Sequence, residues 1–227
     1  MRVDVAFTPE EPTSEPVAIV VDVMRATSTI AQALASGYPR VLAAAGIDEA
    51  QRLRDELGEG ILGGERQAVK IEGFDVGASP LEFLEPRDEP VIFSTTNGTR
   101  AILAAAARGE QVLLGSLLNL SAVARAAAES GEDVVVVCAG FQGRFAIDDA
   151  YCAGRIVQLL DGERGDAAKA SELIAAAYPE AIDGINARTY GPPGMEQDIA
   201  WVSRVDALDV VPRMSRMVGT AAEIMRR

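Results

Sequence analysis

Residues 133–149 read DVVVVCAGFQGRFAIDD, and the fold turns on this stretch. A run that is apolar without alternation marks a strand covered on both faces, the pattern of a parallel sheet packed between helices. The run stops at Cys138, crosses a glycine-bearing turn and passes into DAYCAGRIVQLLD (149–161), whose apolar residues recur at helical spacing. Strand, loop and helix make one βα unit. The chain repeats it.

Outward from that unit, strand-length apolar runs occur at VDVAF (3–7), VAIVVDV (17–23), RVLAAA (40–45), GILGG (60–64), VIFST (91–95) and QVLLG (111–115). Helix-period segments lie between them at ATSTIAQALAS (26–36), DEAQRLRDEL (48–57), TRAILAAAARG (99–109) and NLSAVARAAAES (119–130). The alternation predicts an α/β fold: a three-layer α/β/α arrangement around a mostly parallel or mixed sheet, with the active site at the C-terminal strand ends. Residues 1–227 are expected to form a single domain, or two intimately packed subdomains meeting near residues 115–135. Past Asp161 the pattern weakens to short helical pieces, a PPG turn at 192–194, and DVVP (209–212), which is placed to add a strand. EEPTSEP (10–16) and EPRDEP (85–90) read as solvated connections.

Composition narrows the chemistry. The chain has 227 residues, 48% of them apolar, enough for a sizeable core. No uncharged stretch approaches the roughly 20 residues of a membrane span, and RVDVAF follows Met1 without a signal-peptide block. A cytoplasmic protein with reduced thiols at Cys138 and Cys152 is the expectation. With 21 basic and 34 acidic residues the net charge is −13, which disfavours nucleic acid and anionic membranes as partners. A small anion can still bind where arginines, helix N-termini and a metal create a local positive site. Zero histidines exclude Ser-His-Asp hydrolases, histidine phosphatases and ordinary zinc enzymes. Carboxylate, thiol, hydroxyl, arginine and metal remain.

Polar clusters punctuate the strand ends. Asp22 closes AIVVD and is followed by Arg25, Thr27, Ser28 and Thr29 at a helix start. The hydroxyls suit N-caps, whereas a carboxylate at a buried sheet edge needs a partner, either Arg25 or a metal. An aspartate-nucleophile phosphatase would require a second acid two positions on, where Met24 stands. In STTNGTR (94–100), the backbone N–H groups of Asn97–Thr99, the hydroxyls of Thr95, Thr96 and Thr99, and Arg100 can cradle a phosphate or sulfonate, or simply cap an Asn-Gly turn. GGERQAVKIEGFDVGASPLEF (63–83) is loop-like, yet carries Glu65, Arg66, Lys70, Glu72, Asp75 and Ser79; Ser79 before Pro80 also reads as a helix cap. Cys138 and Arg144 have the spacing of a cysteine-dependent phosphatase loop, while Asp148 and Asp149 offer hard oxygens for a divalent cation.

DVMRATSTI, GGERQAVKIEGFDVGASPLEF, STTNGTRA and CAGFQGRFAIDDAYCAG, in this order, together with DIAWVSRVDALDVVP (198–212), resemble the 2-phosphosulfolactate phosphatase family of coenzyme M biosynthesis. The resemblance implies a Mg²⁺-dependent phosphohydrolase that converts 2-phosphosulfolactate, or a related phosphorylated 2-hydroxy acid, to 3-sulfolactate and phosphate. Its motif positions fall on Asp22, Arg25, Thr27, Gly64, Glu65, Arg66, Glu72, Gly73, Ser79, Thr96, Asn97, Gly98, Cys138, Gly140, Asp148 and Asp149. The family often has glutamate where Asp148 stands and does not depend on arginine at position 144. Residues 183–193 fit its pattern loosely and receive no role.

On this reading Asp22, Arg25, Glu65, Arg66 and Asp148 are the expected catalytic residues. Thr27, Ser79, Thr96, Asn97, Gly98, Thr99, Arg100, Cys138 and Gly140 bind substrate, and Asp22, Glu65, Asp148 and Asp149 hold Mg²⁺. The partner is a small phosphorylated anion, with homo-oligomerisation left open. Two alternatives accompany it: a Cys138-nucleophile phosphatase, which nearby carboxylates would oppose by raising the thiol pKa, and a non-catalytic sensor of phosphorylated or sulfonated metabolites.

Overall fold

The structure, a computed structural model, describes residues 1–108, 111–191 and 193–226. Gly109, at the end of the expected third helix, and Pro192 of the expected PPG turn lie outside the described residues. The eight helices of the described chain are α1 (Ala26–Ser36), α2 (Ile47–Leu57), α3 (Gly98–Ala107), α4 (Leu120–Ala128), α5 (Ile147–Val157), α6 (Asp166–Ala177), α7 (Ala181–Asn186) and α8 (Glu196–Val202).

The strands form one mixed sheet with two parallel blocks. In the first, β7 (Gln111–Gly115), β2 (Val17–Val21), β8 (Val134–Cys138), β1 (Arg2–Ala6) and the two-residue β9 (Glu163–Arg164) lie side by side in that order. In the second, β4 (Ile61–Arg66), β6 (Val91–Ser94) and β3 (Val41–Ala43) are parallel, with β5 (Val69–Lys70) folded back antiparallel on the outer edge. The uninterrupted valines of β8 are all buried because they have helices above and below. Val134, Val136 and Cys138 face α4 and α5 with Val17, Ile19 and Val21 of β2, while Val135 and Val137 face α1 and α3 with Ala18 and Val20. Helix α2 covers Leu42, Leu62 and Ile92 of the second block. The three layers are therefore α1 and α3, the sheet, and α2 with α4–α6.

The blocks are joined by a C-terminal hairpin, β10 (Pro212–Val218) and β11 (Ala221–Arg226), inserted between β7 and β3. The expected strand at DVVP is only the approach to β10. β7 is antiparallel to β10, β10 to β11, and β11 to β3, so the blocks run in opposite senses. In a flat sheet their C-terminal ends would sit at opposite edges, not along the one edge a single parallel sheet provides. Five inter-strand steps separate β2 from β6, and at roughly 20–25° each the twist accumulates to on the order of 100–125°, which swings the two sets of ends toward each other. Among the described residues, no helix is long and apolar enough to cross a membrane.

Candidate active site

The end of β2 supplies Asp22. Its Oδ1 accepts the Ala26 N–H at 3.2 Å, at the start of α1. Thr27 Oγ1 accepts the Asp22 N–H at 3.1 Å and lies within donor range of the carbonyls of Gly115 (2.7 Å) and Asp22 (2.9 Å), so this hydroxyl holds strand ends together inside the fold. Burial pushes the Asp22 carboxyl up to about 7; the Ala26 N–H and Arg25 oppose the shift, and the negative charges of Glu65 and Asp148 add to it. Arg25 follows a cis peptide bond from Met24. Its guanidinium donates to Asp198 Oδ2 at 2.6 Å and to the Ala68 carbonyl at 3.0 Å. Ser79, which caps a 3₁₀ turn at Pro80–Phe83, donates to the other Asp198 oxygen at 2.5 Å.

The second block contributes Glu65 from β4 and Thr95–Gly98 after β6. Both oxygens of Glu65 accept backbone N–H groups, Oε1 from Thr96 at 2.7 Å and Oε2 from Ala68 at 2.6 Å. Arg66 folds back onto Ser94, donating to its carbonyl at 3.1 Å and its hydroxyl at 2.9 Å. Thr95 and Thr99 exchange side-chain and backbone hydrogen bonds, capping α3. Thr96 Oγ1 is buried with no hydrogen-bond partner among the described residues. Asn97 Oδ1 accepts the Gln142 N–H at 3.0 Å, linking the β6 and β8 loops. Arg100 points outward to Glu10 at 3.2 Å. Gly98 has no room for a side chain: a Cβ there would stand 2.3 Å from that of Ala26 and 2.6 Å from Asp22 Oδ2.

After β8 the neighbouring aspartates separate. Consecutive helical residues do not face the same way. Asp149 accepts the Val23 N–H at 2.9 Å and the Gly140 N–H at 3.0 Å, tying the ends of β2 and β8 together. Gly140 has φ +65°, and a Cβ there would strike the Arg144 carbonyl. Asp148 Oδ1 accepts the Tyr190 hydroxyl at 2.5 Å, while its Oδ2 is buried with no partner among the described residues. Cys138 is fully buried, and its thiol is pushed well above the ordinary range, first by burial and then by the charge of Asp149. Arg144 is exposed at the far end of the Phe141–Arg144 turn. Thiol and guanidinium therefore do not form a phosphatase loop.

These elements surround one cavity of about 290 Å³ lined by residues from both blocks, among them Asp22, Arg25, Glu65, Thr96, Asn97, Gly140 and Asp149. Of the expected site residues, Asp148, Arg66, Thr27, Ser79, Gly98, Thr99, Arg100 and Cys138 do not line it. Arg188, Tyr190 and Met195 do. Tyr190 stacks on Phe141, centroids 4.0 Å apart and 18° between planes, and so roofs Asp148. These residues lie in or next to the loosely matching segment; the signal that could have found them is an arginine and a tyrosine in a Gly/Pro-bounded loop, ARTYGPPG (187–194), just ahead of DIAWV.

The donor set for a cation is uneven. Among the described residues, no three Cys, Asp or Glu side chains form a metal cage by themselves. Glu65 and Asp149 spend both oxygens on backbone N–H groups, whereas Asp22 and Asp148 each keep one oxygen without a protein donor among the described residues. Two hard carboxylate oxygens fit Mg²⁺, which takes one or two carboxylates, substrate phosphate and several waters.

A family model described as 2-phosphosulpholactate phosphatase matches residues 5–216. A probable 2-phosphosulfolactate phosphatase of Caldanaerobacter subterraneus subsp. tengcongensis is 40% identical over 209 residues, 86% of each chain. Proteins of the same description from Thermotoga petrophila (37% identity; 93% of this chain, 95% of the relative) and Clostridium botulinum (34%; 93% and 96%) match along nearly their whole length.

Proposed function

The chain belongs to the 2-phosphosulfolactate phosphatase family, and from that premise we propose that it is a Mg²⁺-dependent phosphatase of the cytoplasm that hydrolyses 2-phosphosulfolactate to 3-sulfolactate and phosphate. Membership makes it a phosphoric monoester hydrolase. The observation that carries the finer reading is Asp22, which lines a cavity shared by both sheet blocks beside Arg25 and keeps one oxygen unengaged. Asp148, outside that lining but near enough for its charge to act on Asp22, holds a second, buried oxygen without a partner among the described residues.

Asp22 and Asp148 would hold Mg²⁺, which supplies charge neutralisation for the phosphoryl oxygens. The chain does the positioning. Arg25, fixed by Asp198, presents its guanidinium to the phosphoryl group, and Thr96 Oγ1 offers a hydrogen bond that no described residue takes. Glu65 and Asp149 act through the backbone, holding the Ala68, Thr96, Val23 and Gly140 N–H groups in place. A water oxygen bonds to phosphorus, the bond from phosphorus to the substrate's 2-oxygen breaks, and that oxygen takes up, in net terms, the proton the water gives up, leaving the alcohol and hydrogen phosphate.

Phosphate release from 2-phosphosulfolactate, measured with Mg²⁺ and with a chelator, tests this. Turnover that stops with EDTA and returns with Mg²⁺ is expected. Full turnover in chelator would remove the metal from the proposal, and absence of phosphate release would remove the substrate.

A further inference from the structure

We infer that Arg188 binds the substrate's second anionic group, the carboxylate or sulfonate that is not transferred, and thereby sets a preference for phosphorylated acids over simple phosphate esters. The inference rests on the phosphatase reading above and extends it to a residue in the segment to which the sequence motifs assign no role.

Two arginines line the cavity, and they differ in how their charge is compensated. Arg25 is matched by Asp198 at 2.6 Å. Among the described residues, Arg188 has no carboxylate within 4.0 Å, although the chain carries 34 acids and a net charge of −13. Its charge acts on Asp148 only from beyond ion-pair distance, and a half-buried guanidinium without a direct ion-pair partner keeps donors available for an anionic ligand in the cavity. Its Nη1 donates to the Ile185 carbonyl at 3.0 Å, which anchors the group at the end of α7. The planar fork of arginine is suited to two oxygens of one carboxylate or sulfonate.

Placement supports the same assignment. Tyr190, two residues on, also lines the cavity and donates to Asp148, so a single short segment supplies part of the cavity wall and a contact to that buried acid. A phosphoryl group beside Asp22 and Arg25 leaves the other end of a small 2-hydroxy acid toward Arg188. The cavity, at about 290 Å³, is at the small end of ligand sites, which suits such a molecule.

The test compares kcat/KM for 2-phosphosulfolactate, 2-phospholactate and ethyl phosphate in the Mg²⁺-supplemented wild type, Arg188→Gln and Arg188→Lys. In Arg188→Gln the ratio of 2-phosphosulfolactate to ethyl phosphate should fall roughly 10- to 100-fold, the loss of a charge-assisted contact, chiefly through KM. Arg188→Lys should lie between. A fall confined to 2-phosphosulfolactate identifies the sulfonate as the group bound; an equal fall for 2-phospholactate identifies the carboxylate. An unchanged ratio overturns the inference, including the case where all three substrates lose equally. Should the Gln variant fold poorly by circular dichroism, the Lys variant decides, with at least a threefold fall expected. A wild type that releases no phosphate from either acid defeats the proposed activity instead. Calorimetric binding of 3-sulfolactate then decides on Arg188: affinity at least 10-fold weaker in the Gln variant supports the role, and equal or absent binding in both ends it.

Discussion

Arg25 and Asp198 stand 173 positions apart and meet at 2.6 Å, with little of either side chain exposed. One residue opens the path into α1, the other sits in α8, and Ser79 occupies the second carboxylate oxygen of Asp198. The C-terminal motif DIAWV thus acts on the site through a cation it aims and does not line the cavity itself. Removing one partner of a buried pair strands the other, at a cost of roughly 3–5 kcal/mol. Asp198→Ala should lower stability by about that amount and kcat by on the order of 100-fold through misplacement of Arg25. A double-mutant cycle checks it: added to Arg25→Ala, the Asp198 change should cost little more activity. Fully additive losses in kcat would mean that Asp198 acts through something other than Arg25.

Cys138 closes β8, pairs in register with Val21 and is fully buried. Burial and then Asp149 hold its thiol well above the ordinary range, so the thiolate needed for nucleophilic attack is disfavoured. Cys138→Ala should retain activity within about threefold while costing about 1–2 kcal/mol of stability from the small void left. Alkylation of the native protein by iodoacetamide at pH 8 should be slow compared with the unfolded chain. Loss of turnover in a folded Cys138→Ala protein, or rapid alkylation that abolishes activity, would reinstate the thiol.

The C-terminal hairpin is pinned by Glu223, which lies in β11 and accepts from Arg40 at 2.7 Å, Arg216 at 2.9 Å and Ser215 at 3.1 Å. Burial raises its pKa, but the hydrogen bonds from Arg216, Arg40 and Ser215 outweigh that and the carboxyl sits below its ordinary value of 4.5. A depressed acid binds fewer protons in the folded than in the unfolded state, so its contribution is fully present above pH 4.5 and is lost as pH falls through the folded value. Denaturant midpoints between pH 6 and pH 3 should therefore fall more steeply for the wild type than for Glu223→Gln, which is expected to be about 1–3 kcal/mol less stable at neutral pH. Parallel curves would show that the ion pairs contribute nothing to stability.

Local pattern carried most of the fold because most of the elements are locally determined. The boundaries of α1 coincide with the apolar period of ATSTIAQALAS and with Gly37, whose φ of +105° ends the helix. The hairpin escaped for a physical reason. Its outer face is not covered by a helix, so Arg213 and Arg216 replace the apolar alternation; a register shift at Met214/Arg216 interrupts what remains, and AAEIM reads as helical. That hairpin reverses the second sheet block, and no local pattern encodes the reversal. At the site, residue types identified Asp22, Glu65, Thr96 and Asn97 as cavity residues. The hydrogen bonding of the acids was not legible: whether a carboxylate oxygen accepts backbone N–H groups depends on how loops from distant strands meet.

Gly98 offers the sharpest check on Asp22, because it is where α3 comes against the start of α1. A Cβ at position 98 would meet Ala26 Cβ at 2.3 Å and Asp22 Oδ2 at 2.6 Å, both closer than atoms can pack. The first clash is between two small side chains and can be relieved by deleting the Ala26 methyl; the second falls on the Asp22 oxygen without a described protein donor. Gly98→Ala should therefore lower stability by about 1–3 kcal/mol, as overpacking does, and reduce kcat by at least on the order of 100-fold. Combining it with Ala26→Gly should recover most of the stability, read from denaturant midpoints, yet leave turnover low because the methyl still crowds Asp22. A double variant that regains both stability and turnover would show that this oxygen of Asp22 takes no part in the chemistry.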